Sequence, residues 1–331
     1  MMEVDEITIR KLINYVLFNA YSVDSTGLYN GKAGFTLCLF EVGRKLNDKY
    51  LEEQAFELLQ ESLLTQNKDI GFENGLSGVG YVLLYLIEHK FVNADFKDLF
   101  DDMLLQITNP KKQQEIEMMQ SMRVTLFFCK LKRAGIHVTD SLLIDRIKKM
   151  AEWLEKQMQV AENKHLCISK NYLLVYIERF FQIVDYCLPD VALENSKETI
   201  NCFISLYVKG KYPSVLSIGC YLDRLAQYDQ NALWKETALQ NMEICLRNPS
   251  IKYLSLSQTI DTLLLLRRYS GCYQSTIDLL ERPFTGVITP ETLQTNLFAR
   301  IKEDCLIASY QWGIARFLLY WAYQNSLTRL L

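Results

Sequence analysis

Three kinds of residue in this chain could do chemistry. Nine cysteines are present: Cys38, Cys129, Cys167, Cys187, Cys202, Cys220, Cys245, Cys272 and Cys305. A thiolate is both a nucleophile and a soft metal ligand. His165 and Cys167 form an H-x-C pair, two zinc ligands if chain elsewhere supplied a third. The other histidines, His89 and His137, have no partner at ligand spacing and read as capping or surface residues. Among the acids, Glu73, Asp223, Asp261 and Asp304 lie near expected helix starts. Two carboxylates roughly 5 to 10 Å apart could serve as acid and base, or nucleophile, on a glycoside. A single acid at a helix start is a cap or a partner of the helix dipole.

Whether such groups meet depends on the elements that carry them. G-L-Y-N-G-K-A-G at 27–34 and G-F-E-N-G-L-S-G-V-G at 71–80 share the pattern G-[LF]-x-N-G-x-x-G followed by an apolar helix, 44 residues apart. Between them Leu51, Ala55, Leu58 and Leu59 recur at helical spacing, with Glu52, Glu53, Glu57 and Glu61 on the other face. Val79 to Ile87, by contrast, is apolar nearly all round and must be covered on most sides. One unit is therefore an inner, apolar helix, a turn and an outer, amphipathic helix. The glycines are expected to permit positive φ and close backbone approach, leaving N–H groups at a helix start that could receive a polar group.

Further apolar helices are expected near residues 120, 168, 216, 256 and 309, without the double-glycine signature. Outer partners fit before Gly27 and at 51–64, 95–106, 140–158, 191–208, 232–246 and 273–301, the last interrupted by Pro283 and Pro290. The expected fold is all-α, a single (α/α) toroid domain over 1–331 with about seven helical hairpins in inner and outer layers. Closure is favoured over an open solenoid because the first and last units, the latter spanning Trp312 to Tyr323, are both strongly apolar rather than polar caps.

Composition narrows the functions. Lys and Arg number 36 against 39 Asp and Glu, a net charge of −3, too balanced to steer the chain to nucleic acid or an anionic membrane. The N-terminus opens acidic, unlike a signal peptide, and the longest purely apolar run, Tyr81 to Ile87, falls far short of the roughly 20 residues of a membrane span. The cysteines are odd in number and never form C-x-x-C, which suits reduced thiols and a cytoplasmic location.

The two glycine motifs and the repeat count resemble lanthionine synthetase C-like proteins, the lanthipeptide cyclases. That resemblance implies a toroid of seven inner and seven outer helices acting on a ribosomally made peptide. It also implies one zinc ion at the toroid's mouth, held by a Cys of a W-C-x-G-type motif at the fifth inner-helix start and by C-H-G at the sixth. Such zinc would activate a substrate thiol for addition to a dehydrated Ser or Thr. Here the fifth unit keeps Cys220-Tyr221 without the Trp or the following Gly, and the sixth reads Tyr253-Leu-Ser-Leu-Ser-Gln258, with neither Cys nor His.

What the resemblance then implies is a toroid without catalytic residues, bound metal or cofactor, the family's zinc ligands being lost: a pseudo-cyclase that holds a peptide or a peptide-modifying enzyme. Tyr29, Asn30, Glu73, Asn74, Cys220, Tyr221, Gln258 and Trp312 would line the recognition surface. The alternative is an active enzyme, either a cyclase with a rebuilt zinc site or a carbohydrate-active toroid using paired carboxylates.

Overall fold

The structure, a computed structural model, describes residues 6–136, 138–163, 167–187, 193–248, 251, 254–269, 273–284, 292, 295–301 and 306–323. Every regular element among them is helical, so the protein is all-α. In chain order these are α1 (Glu6–Ser22), α2 (Lys32–Leu46), α3 (Lys49–Leu64), α4 (Leu76–Glu88), α5 (Phe96–Thr108), α6 (Pro110–Glu115), α7 (Met118–Arg133) and α8 (Asp140–Asn163). They continue with α9 (Cys167–Tyr186), α10 (Lys197–Val208), α11 (Leu216–Asp229), α12 (Ala232–Arg247), α13 (Leu256–Leu266), α14 (Gln274–Glu281) and α15 (Ile314–Tyr323). None of the helices among the described residues is long and apolar enough to cross a membrane.

The inner helices expected from the repeat are α2, α4, α7, α9, α11, α13 and α15, each within a few residues of its expected start. Their burial follows the two patterns read from the sequence. Every residue from Ala33 to Gly43 of α2 and from Leu76 to Leu86 of α4 is buried. Outer helix α3 buries only the stripe Leu51, Ala55, Leu58, Leu59 and Ser62. The stretch expected to be helical over 273–301 holds only α14 and short 3-10 turns at Arg282–Phe284 and Phe298–Arg300. The short helix α6 was not expected; Asn109 caps it and Pro110 occupies its first turn.

The chain forms two compact units, Met1–Ile116 with Lys252–Leu331, and Glu117–Ile251. In the first unit α13 packs on α15, α15 on α2 and α2 on α4, so the last inner helix lies beside the first; α1, α3, α5 and α14 cover them. In the second, α7 packs on α9 and α9 on α11, with α8, α10 and α12 against them.

Unpaired N-terminal N–H groups are met in two ways. Outer helices α3, α5 and α12, and inner helix α13, use side chains: Asp48 accepts from Leu51 N–H, Asp95 from Lys97 N–H, Asn231 from Trp234 N–H and Ser255 from Gln258 N–H. At Gly31 and Gly75, which precede α2 and α4, no side chain caps. There the chain folds back on itself, and the helix N–H groups donate to carbonyls seven residues earlier: Lys32 to Ser25 O (2.9 Å), Ala33 to Thr26 O (3.1 Å) and Leu76 to Asp69 O (2.9 Å). The last inner helix repeats this, Ile314 to Ile307 O (2.8 Å) and Ala315 to Ala308 O (3.2 Å). Gly313 therefore matches Gly31 and Gly75, and a Cβ at any of the three would run into the carbonyl oxygen six residues earlier, of Ser25, Asp69 or Ile307. Close approach is the reason for glycine, and not positive φ, since φ is −129° at Gly31 and −122° at Gly75. The leading N–H groups at these helix starts are also already spent on the loop, which corrects the expectation that they could receive a ligand.

In the second unit a buried arginine joins an outer helix to an inner one. Arg146 of α8 donates from Nε to Thr125 Oγ1 (2.7 Å) and from Nη2 to Ser121 O (2.9 Å), with its guanidinium over the Phe128 ring. Burial pushes its pKa down to about 10. Nearby, Cys129 of α7 and Cys187, just after α9, form a disulfide with Cα atoms 5.9 Å apart and a sequence separation of 58. The expectation of reduced thiols fails at this pair, because side-by-side packing of α7 and α9 juxtaposes cysteines whose spacing carries no motif. Cys38 stays a buried thiol, its pKa pushed up by burial and the nearby Glu41.

Gly313→Ala and Gly75→Ala should each lower stability by about 2 kcal/mol or more, read as a drop in the thermal midpoint by circular dichroism. Chain entropy for a closed loop of this length predicts that the disulfide contributes about 4 kcal/mol. Denaturant unfolding of wild type and Cys129→Ser should differ by that order when oxidised and converge in reductant.

Candidate functional site

Three segments that precede inner helices of the first unit are linked edge to edge by their backbones. Gln311 N–H donates to Tyr29 O (3.2 Å), Tyr29 N–H to Glu73 O (2.9 Å) and Leu28 N–H to Phe72 O (3.4 Å). Counting from the glycine before each helix, Gln311, Tyr29 and Glu73 occupy one repeat position, and Trp312, Asn30 and Asn74 the next. A Cβ on Gly27 would overlap the backbone of Glu73 and Asn74, so this glycine is what lets neighbouring segments touch.

Aromatic rings fill the space beneath this ladder. Tyr29 stacks on Tyr310 (6.4 Å between centroids) and meets Phe72 edge-on (5.8 Å), and Phe72 meets Tyr81 (5.3 Å). Tyr29 is thus largely buried. Asn30, Glu73 and Trp312 are half-buried and Asn74 is exposed, so the row Trp312, Asn30, Asn74 faces outward in part. Asn74 is held from both sides: its carbonyl accepts from Asn67 Nδ2 (2.8 Å) and its side-chain oxygen from Ser25 Oγ (3.4 Å).

Gln258 is exposed on α13, where Ser255 and Gln258 form a capping box: Gln258 Oε1 accepts from Ser255 N–H (3.1 Å) and Ser255 Oγ from Gln258 N–H (3.4 Å). Cys220 and Tyr221 belong to α11 in the second unit, and both are buried. The candidate residues are therefore brought together only in part. Tyr29, Glu73 and the Gln311–Trp312 segment are joined directly, Asn30 and Asn74 flank them, and Gln258 lies on α13, which packs against α15.

Of the helix-start acids, Glu73 and Asp261 belong to the first unit and Asp223 to the second. Asp223, buried in the second unit, accepts from Gln227 Nε2 (2.9 Å). Asp304 lies outside the described residues, as do His137, His165 and Tyr253, and so does the side chain of Cys167. His89 follows α4, stacks on Tyr85 with centroids 4.0 Å apart and donates from Nδ1 to Tyr85 O (2.9 Å), as a capping histidine would. No group of three or more His, Cys, Asp or Glu placed to hold a metal occurs among the described residues.

Arg316 was not singled out by its sequence pattern. It lies three residues after Gly313, the position filled by Gly34 in α2 and Gly78 in α4. A side chain at Gly34 would strike Tyr310, and one at Gly78 would strike Leu28. On α15 the position is open, and Arg316 reaches from it over the Tyr310 ring (5.5 Å) to donate from Nη2 to Asp261 Oδ1 on α13. Its side chain keeps 13% of its exposure, that of Asp261 45%. Burial opposes the guanidinium's charge, but the Asp261 carboxylate, together with Tyr310 and Tyr29, more than offsets this and raises the Arg316 pKa above its ordinary value. Burial also raises the pKa of Tyr310, with Arg316 acting the other way. The signal for this cluster was the Trp312-Gly313 pair standing where Asn30-Gly31 and Asn74-Gly75 stand.

Asp261→Leu should destabilise the protein by about 3 kcal/mol, because it strands a buried guanidinium, and Asp261→Leu/Arg316→Leu should recover most of the loss. Urea unfolding of the two single variants and the double variant measures this coupling. No known protein-family profile and no curated protein matches the chain, so the functional reading rests on the motifs and this geometry.

Proposed function

We propose that this chain is a lanthionine synthetase C-like protein without the family's zinc site, and that it holds a peptide, or an enzyme acting on one, during maturation of a ribosomally made peptide. The observation that carries this reading is the backbone ladder at Gln311, Tyr29 and Glu73. Next to it Trp312, Asn30 and Asn74 share one repeat position and are half-buried or exposed. A rigid row of amide and aromatic groups suits an extended chain better than a small ligand. Within the first unit α15 packs on α2, so the first and last glycine-marked helices are neighbours.

The residues at the family's zinc positions do not fit the metal. At the sixth inner-helix start, Ser255 and Gln258 are hard oxygen and nitrogen groups already engaged with one another, and Cys220 at the fifth is 1% exposed. Recognition without cyclisation follows. The cytoplasmic location belongs to the same proposal; the odd, unclustered cysteines support it, whereas the Cys129–Cys187 bond weighs against a wholly reduced set.

Two measurements test the reading. Elemental analysis of protein purified without chelator should find zinc well below one per chain, unchanged in Cys220→Ala; stoichiometric zinc lost in that variant would restore the cyclase. Selection from random short peptides displayed on phage should enrich binders over bare support, and Trp312→Ala or Asn74→Ala should weaken the best binder by about 1 to 2 kcal/mol. Failure to enrich any peptide would remove the binding role.

A further inference from the structure

We infer that Asp261 and Gln258 form a clamp for a main-chain amide of the bound peptide, with Arg316 as the residue that positions Asp261. The inference rests on the peptide-binding reading above and assigns what one part of the surface recognises.

Four observations lead to it. Gln258 and Asp261 are three residues apart on α13, which places them on one face, one turn from each other. Gln258 spends its Oε1 on the capping box, and among the described residues its Nε2, a donor, has no partner. Asp261 gives Oδ1 to Arg316, and among the described residues its Oδ2, an acceptor, has none. The surface thus offers one donor and one acceptor on residues that remain accessible.

The fourth observation is the state of Arg316. Its guanidinium is the counter-charge of Asp261, and among the described residues its buried Nε finds no hydrogen-bond partner. Buried polar atoms are normally satisfied, and a buried N–H left without a partner calls for an explanation. Because Arg316 neutralises Asp261, the site attracts a cation only weakly, and a lysine or arginine side chain is not its best ligand. A neutral group that both donates and accepts is better matched. Peptide main chain supplies one at every residue, with N–H to Asp261 Oδ2 and C=O to Gln258 Nε2. The occupant is then held by its backbone, which leaves side-chain choice to the Trp312, Asn30 and Asn74 row.

The test uses the full chain and a synthetic copy of the best phage-selected peptide. Each main-chain amide is replaced in turn by an ester, which removes one N–H and keeps the shape. One ester position is expected to weaken binding about tenfold or more, the worth of a hydrogen bond to an ionised carboxylate. That loss should vanish in Asp261→Asn, which keeps one oxygen for Arg316 and replaces the free acceptor by an NH2 donor. Gln258→Glu retains the capping box, so its thermal midpoint should stay unchanged while binding of the parent peptide falls about fivefold or more. A flat ester scan, or Gln258→Glu binding as well as wild type, overturns the clamp and leaves the peptide-binding reading standing. A loss that tracks only Asn or Gln side chains of the peptide likewise overturns it, by assigning the site to a side-chain amide. If no peptide is selected at all, the peptide-binding reading fails and the clamp fails with it.

Discussion

The first unit depends on one constraint: inner helices that are buried nearly to their first turn must satisfy their N-terminal N–H groups without water. Outer helices meet the same need with Asp48, Asp95 or Asn231, whose side chains can reach solvent as well as the backbone. For α2, α4 and α15 the loop's own carbonyls are used, at Ser25, Thr26, Asp69, Ile307 and Ala308. This brings the backbone back so tightly that the residue before each of these helices can have no side chain. The ladder between neighbouring loops follows from it, since chain turned back in this way presents its remaining N–H and C=O edge to the next segment.

Much of the architecture was legible because burial leaves a periodic record. An inner helix covered on all sides must be apolar all round, as Val79 to Leu86 is, and an outer one must alternate, as Leu51 to Ser62 does; these patterns placed the helix starts within a few residues. What could not be read were relations between segments far apart in sequence. The equivalence of Gly313 with Gly31 and Gly75 lies in a shared loop geometry, while the surrounding residues Tyr310, Trp312 and Arg316 differ from their counterparts. Cys129 and Cys187 carry no spacing motif, and only the packing of α7 on α9 makes them partners.

The candidate site was legible by position more than by role. Asn30, Asn74 and Trp312 do share one outward position, but Tyr29 is a buried ring in an aromatic stack, and Gln258 is half committed to holding its own helix start. Cys220 and Tyr221 face a buried environment. Arg316 was invisible because its neighbours in the repeat are glycines, so a large charged side chain there breaks the pattern that identifies the position. Asp261 was noticed only as an acid near a helix start. Its significance comes from the guanidinium behind it, which fixes the carboxylate and cancels its charge.

The bond between Cys129 and Cys187 also sets the covalent topology of the second unit. It closes the chain from one cysteine to the other into a ring that contains all of α8 and all of α9. A protease that cut once in the segment between those two helices would open the ring without separating its ends. The nicked chain would keep its mass and its connection from first residue to last, and only a reductant would part the fragments.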